Sequence, residues 1–267
     1  MSRFISKHGI ENLRDYSYSG KDLSLTVKYL LAPYYWNPLV EHLPQWLAPN
    51  LITLIGGVLM VLAMLGFVLF YAPPAPVPFW LAAFTSLMIF LYQTADNLDG
   101  KQARRTGSSS ALGELFDHGV DSIMIGIFSF IVLSCFQTSE FVIASLSLVL
   151  MIIFYLSHWE EYHAGILVLG YIMNPTELQL ASIATLLVTS LFASLGQATV
   201  FGVSLNTYAL LVIVGGAALG ILKYFLGVSH AVAKSDGPTF LEAIFELFPF
   251  GVFILCAEIL VLVLPTA

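Results

Sequence analysis

Charge is what this sequence has least of. Only 10% of its 267 residues are charged, whereas a soluble domain carries about 25%. With 58% hydrophobic residues and a mean hydropathy of +0.87, a soluble globular domain is excluded. Cysteine is almost absent as well. Cys135 and Cys256 stand alone in separate apolar runs, which leaves no thiolate metal site and no redox pair. Basic residues number ten against 17 acidic ones, and no nucleic-acid partner is expected. The N-terminus, "MSRFISKHGIENLRDYSYSGKD", lacks an apolar core followed by small residues, so no secretory signal peptide is expected. Internal repeats and low-complexity tails are missing too.

What is abundant is long apolar runs. Runs of about 18 residues or more suffice to cross a bilayer. They predict an all-α polytopic membrane protein with about seven transmembrane helices, near Leu51–Tyr71, Phe79–Ala95, Leu112–Phe136, Phe141–Trp159, Leu178–Ser194, Tyr208–Leu226 and Leu241–Leu264. The proline-dense "APPAPVP" after Tyr71 stops one helix and starts the next. Ahead of the first span, "TVKYLLAPYYWNPLVEHLPQWLAPN" mixes apolar and aromatic residues but is broken by Pro33, Pro38, Pro44 and Pro49. Prolines at that density forbid a straight spanning helix. A short amphipathic helix lying in the membrane interface, anchored by Trp36, Trp46 and its tyrosines, is expected instead.

The few basic residues sort to one side of this threading. Arg3, Lys7, Arg14, Lys21 and Lys28 precede the first span; Lys101, Arg104 and Arg105 follow the second; Lys223 and Lys234 lie around the loop before the seventh. The positive-inside rule then puts the N-terminus and the loop after the second span in the cytosol.

That same side holds an unusual set of acids. Asp96, Asp99, Asp117 and Asp121 fall within 26 residues of an otherwise apolar region. Asp96 and Asp99 are three apart, Asp117 and Asp121 four apart, and Glu114 extends the second face; such spacings share one side of a helix. "RRTGSSSA" between them reads as a turn, so two antiparallel helices bring the four together. Unneutralised carboxylates at a membrane boundary would repel one another, so protons or cations must balance them. Oxygen ligands favour hard ions such as Mg²⁺, Mn²⁺ or Ca²⁺, and two divalent ions would match four carboxylates. An EF-hand is excluded, because Leu98 stands at a ligand position and Gly107 where the bidentate Glu belongs. Gly100 and Ala103 would let a ligand approach the helix, while Lys101, Arg104 and Arg105 place positive charge beside the acids. Together these suit a metal-bridged phosphate.

Asp96, Asp99, Gly100, Ala103, Arg104, Gly113, Asp117 and Asp121 occupy every defined position of D-x2-D-G-x2-A-R-x8-G-x3-D-x3-D. The pattern resembles the signature of the CDP-alcohol phosphotransferase family. "YSYSGKDLS", "PQWLAPNLITLIG", "FYLSHWEEYHAG" and a weaker "NPTE" extend the resemblance to the eukaryotic choline/ethanolamine phosphotransferase branch. The resemblance implies transfer of phosphoethanolamine or phosphocholine from its CDP derivative to diacylglycerol, with release of CMP. It implies that Asp96, Asp99, Asp117 and Asp121 hold two divalent cations, Mg²⁺ or Mn²⁺. Gly100, Lys101, Ala103, Arg104 and Gly113 would border the nucleotide. Asn50 in "APNLIT" would either border the nucleotide, cap the first span, or do both. A homodimer in the endoplasmic reticulum or Golgi, with its site facing the cytosol, is expected.

A general base is also needed. His118, beside Asp117 and one turn after Glu114, is the candidate, with Glu114 bonding one ring nitrogen; Asp121 is its rival. Tyr92, Tyr155, Trp159 and Tyr162 are candidates for an aromatic cage around choline, and Glu160 and Glu161 for pairing with a cationic head group. His158 and His163, five apart, fall on different helix faces and make no metal pair. The expected organisation is a cytosolic segment with the interfacial helix over 1–50, a catalytic transmembrane core over 51–194, and further transmembrane helices over 195–267. Family members usually have about ten spans, so a truncated form is expected here. Competing readings are another acceptor such as inositol, a silent form that regulates a longer partner, and a divalent-cation transporter.

Overall fold

The computed structural model describes Ser6, Leu13 and residues 18–171, 174–235 and 237–263. Arg3, Lys7 and Arg14 of the basic set, and Leu264 at the end of the seventh expected span, lie outside the described residues.

The chain is an all-α polytopic membrane protein. A π-wound helix α1 (Val27–Trp36) runs straight into α2 (Asn37–His42). Then come α3 (Pro49–Phe70), α4 (Phe79–Thr106), α5 (Ala111–Ser134), α6 (Glu140–Ala164), α7 (Pro175–Leu191), α8 (Leu205–Val232), α9 (Phe240–Phe245) and α10 (Phe248–Val263). Two two-residue strand pairs complete it: β1 (Lys21–Asp22) with β2 (Val168–Leu169), parallel, and β3 (Thr199–Val200) with β4 (Val203–Ser204), antiparallel.

Helices lie over each of the seven expected spans, but among the described residues five helical stretches are long and apolar enough to cross a membrane: α3, α5, α6, α8, and α9 with α10. Those left out are α4, whose far end is charged, and α7, which has 17 residues. At 1.5 Å per residue α7 is about 26 Å long, somewhat under the ~30 Å hydrocarbon thickness. By the same measure α4 is about 42 Å long, so a turn or more projects beyond the apolar layer.

Local chemistry sets the ends. Pro49 starts α3, and Ala48 is its N-cap. This corrects the capping role considered for Asn50, which lies inside the first turn. Ser110, Ser139 and Ser204 cap α5, α6 and α8 by accepting from backbone N–H groups, and Thr239 with Glu242 forms a capping box on α9. Gly107 closes α4 in the left-handed region at φ 65°, where a side chain would be strained.

The core lies where α3, α4 and α5 meet, around Met60, Phe67, Leu81, Ile89, Met124 and Ile131. Gly56 permits the close α3–α4 approach, since a Cβ there would lie 3.0 Å from that of Ala95. Away from this core the burial fades. In the most apolar window 39% of α3 is buried, but only 6% of α8 and none of α9–α10. So large an apolar surface has no place in water and belongs in lipid.

The stretch expected to form an interfacial helix is helical, as α1 and α2. Trp36 and Val40 pack on Ile52, Ala95 and Leu98, while Tyr29, Tyr34 and Trp46 are exposed. Arg105 of α4 donates to the carbonyl oxygens of Val40 at 2.9 Å, Leu43 at 2.7 Å and Glu41 at 3.1 Å. It therefore ties α2 to α4, a structural role in place of the expected charge beside the acids.

Candidate active site

The site forms where acids of α4 and α5 come together on either side of the four-residue turn Gly107–Ser110. Asp96 leaves α4, and Asp117 and Asp121 leave α5; one carboxylate oxygen from each lies within 4.8 Å of the others. The fourth acid, Asp99, is buried and anchored by α3, whose Thr53 hydroxyl donates to its Oδ2. The Tyr92 hydroxyl donates to Asp121 Oδ1. Asp117 Oδ1 is buried without any hydrogen-bond partner. A buried carboxylate oxygen in that state needs a cation or a proton. The donor set is all oxygen, as hard divalent ions require, and the residues present therefore fit such ions.

Small residues flank the acids. At Gly113 an added Cβ would meet Ser110 Oγ at 3.3 Å and Asn50 Oδ1 at 3.6 Å, so Asn50 faces the start of α5. At Gly100 it would meet the Arg104 guanidinium at 3.4 Å. Arg104 is exposed and makes no hydrogen bond or ion pair among the described residues, whereas Lys101 donates from Nζ to Asn37 Oδ1 at 2.8 Å. Partial burial and the neighbouring Arg104 charge push the Lys101 ammonium below its usual range. Ala103, on the same stretch of α4, is half-buried.

His118 and Glu114 line one cavity of about 380 Å³ together with His158, Glu161 and Tyr162. The expected hydrogen bond between Glu114 and His118 is not formed in this structure. The His118 ring instead meets His158 edge to face, with centroids 4.6 Å apart. A second cavity of about 270 Å³ continues from His118 along Gly119, Ile125, Met151, Phe154 and Phe250, walled mainly by hydrocarbon.

Two expectations fail here. The four aromatics do not converge: Tyr92 is buried against Asp121, Tyr155 stacks on Phe250 at 3.9 Å, and Trp159 packs on Phe225 at 5.3 Å. Glu160 is bound to Lys223 at 2.7 Å, inside α8 and not in the loop beyond it, which removes Glu160 from the head-group candidates.

Other contributors were not legible from motif spacing. Tyr18 comes from the N-terminal segment. Burial raises its phenol, the carboxylates of Glu114, Glu161 and Asp117 raise it further, and Arg104 opposes them. That segment is held by β1–β2 pairing and by Asn174 Nδ2 donating to Asp22 Oδ1 at 2.7 Å. The stretches "YSYSGKDLS" and "NPTE", far apart in sequence, are thus bonded in the fold.

The family model for CDP-alcohol phosphatidyltransferase matches residues 46–216, which contain every acid of the cluster. The chain belongs to that family. It is 36% identical to a Dictyostelium discoideum protein named uncharacterized CDP-alcohol phosphatidyltransferase class-I family protein 2, over 94% of this chain and 61% of that one. It is 41% identical to choline/ethanolaminephosphotransferase 1 of Arabidopsis thaliana, over 65% of this chain and 44% of the relative. It is 39% identical to cholinephosphotransferase 1 of Gallus gallus, over 88% and 71%. The chain spans about half the length of several of the curated relatives it matches.

Proposed function

We propose that this family member transfers phosphoethanolamine or phosphocholine from its CDP derivative to diacylglycerol, releasing CMP and forming phosphatidylethanolamine or phosphatidylcholine. The observation that carries the reading is the convergence of Asp96, Asp117 and Asp121, with ligand atoms within 4.8 Å, beside a cavity lined by His118. Relatives named for choline and ethanolamine phosphotransfer support the substrate class.

Asp96, Asp99, Asp117 and Asp121 would hold two divalent cations, Mg²⁺ or Mn²⁺. When bound, these supply positive charge to a diphosphate. The chain's own groups do the rest. Arg104, exposed beside Gly100, pairs with phosphate oxygens. Gly100, Ala103 and Gly113 leave room for a nucleotide against α4 and α5, with Asn50 and Lys101 at the edges. The apolar cavity beside His118 admits the acyl-bearing acceptor from the membrane. His118 accepts the acceptor's hydroxyl proton as its oxygen bonds to the β-phosphorus and the bond to the CMP oxygen breaks. Glu114, in the same cavity, stabilises the imidazolium that results.

We place the catalytic unit at 51–194, with 1–50 and 195–267 as flanking segments. The basic residues Lys21, Lys28, Lys101, Arg104 and Arg105 favour a cytosolic site; the resemblance to the choline/ethanolamine branch extends the proposal to a homodimer in the endoplasmic reticulum or Golgi. The test offers purified protein diacylglycerol and Mg²⁺ with CDP-choline and CDP-ethanolamine in separate reactions. CMP release with either donor is the expected result, and its ratio between donors sets the head group. Absence of CMP with both, from protein that still binds the nucleotides, would overturn the reading.

A further inference from the structure

Sequence spacing gives His158 and His163 no shared face on α6, but the fold gives His158 a histidine partner from another helix. His158 Nδ1 lies 2.9 Å from the carbonyl oxygen of Phe154. A carbonyl only accepts, so Nδ1 carries the proton and a neutral ring presents a bare lone pair at Nε2. Nε2 is buried and has no hydrogen-bond partner. Metal-ligating imidazoles are held in this way, one N–H donating to a carbonyl and the other nitrogen turned to the ion. Glu161 follows His158 by three residues on the same face of α6. His118 of α5 closes the group: one ligand atom each from His118, His158 and Glu161 lies within 4.8 Å of the others.

Two imidazoles and one carboxylate are a different donor set from the aspartate cluster. Nitrogen ligands suit Zn²⁺, a borderline-soft ion that accepts three protein ligands and a water. Mg²⁺ keeps to oxygen and to octahedral geometry. The cavity of about 380 Å³ beside these side chains leaves space for the fourth ligand.

We propose that His118, His158 and Glu161 form a Zn²⁺-selective site, separate from the aspartate cluster, whose occupancy inhibits the enzyme. The inhibitory half rests on the reading of His118 as general base, because the nitrogen lone pair that binds zinc is then lost to the hydroxyl proton. The site itself does not depend on that reading.

The test titrates Zn²⁺ into the purified full chain in detergent with millimolar Mg²⁺ present. Wild type and Asp96→Asn should bind zinc at this site with similar affinity. His158→Ala and Glu161→Gln should each weaken it by about tenfold or more, with circular dichroism melting in the same detergent showing that each variant is folded. Co²⁺ in place of Zn²⁺ should give the visible absorption of a low-symmetry nitrogen–oxygen site in wild type, and lose it in His158→Ala. Undiminished zinc affinity in both α6 variants overturns the site. So does its loss in Asp96→Asn, which would put the zinc on the aspartates. For function, micromolar Zn²⁺ should inhibit CMP release, and the inhibition midpoint should rise about tenfold in Glu161→Gln relative to its own uninhibited rate. Zinc bound at this site with turnover unchanged would leave the site standing and overturn His118 as the base.

Discussion

Asp99 is held differently from Asp117. Thr53 donates to it from α3, so its carboxylate is fixed before any ligand arrives, whereas Asp117 keeps a buried oxygen without a partner. Replacing any of Asp96, Asp99, Asp117 or Asp121 by Ala should abolish turnover, and chelators should silence the wild type until Mg²⁺ or Mn²⁺ is restored. Full CMP release in excess chelator would end the two-cation reading. His118→Ala should behave otherwise. Nucleotide binding should persist while turnover falls by about 10²–10⁴-fold, the range for a lost general base. Glu114→Gln should fall less, and the double variant little further than His118→Ala, as expected for two residues acting as one unit. Single-turnover rates with matched nucleotide occupancy would show this; near-normal turnover in His118→Ala would pass the role to Asp121.

At the scale of elements, the α3–α4 contact controls the site. Gly56 sits opposite Ala95, one residue before Asp96, and a Cβ there would already lie 3.0 Å away. A Gly56→Leu substitution should drive the helices apart, lower the melting temperature in detergent, and pull Thr53 from Asp99. Turnover should drop even though no acid is altered. A variant that melts and turns over like wild type would show that the close approach is not needed. The turn between α4 and α5 matters in a second way. Ser110 accepts from Gly113 N at 3.1 Å, fixing where α5 begins and hence which face carries Asp117 and Asp121. Ser110→Ala should cost about 1 kcal/mol, the usual loss for a serine N-cap, read from the unfolding midpoint.

For the whole molecule the question is which side of the membrane holds this turn. Ser109 is exposed within it, and three of the described basic residues, Lys101, Arg104 and Arg105, precede it. A Ser109→Cys variant in sealed vesicles of known orientation, with Cys135 and Cys256 replaced, should label only from the cytosolic face. Exclusive labelling from the opposite face would invert both the topology and the location of the site.

Composition alone determined that the chain lives in lipid, because so little charge cannot cover a water-soluble surface. Run lengths located helices over all seven expected segments, and the i, i+3 and i, i+4 spacing put Asp96 with Asp99 and Asp117 with Asp121 on shared faces. These are local properties, carried by neighbours a turn away. Tertiary structure decided what crosses between helices. It gave Asp99 to Thr53 and Asp121 to Tyr92, turned Arg105 away to hold α2, and took Glu160 for Lys223. It also set His158 against His118 across 40 residues of chain. No periodicity encodes such pairs, because in a helical bundle the partner of a side chain is chosen by how the helices pack and not by its distance along the sequence.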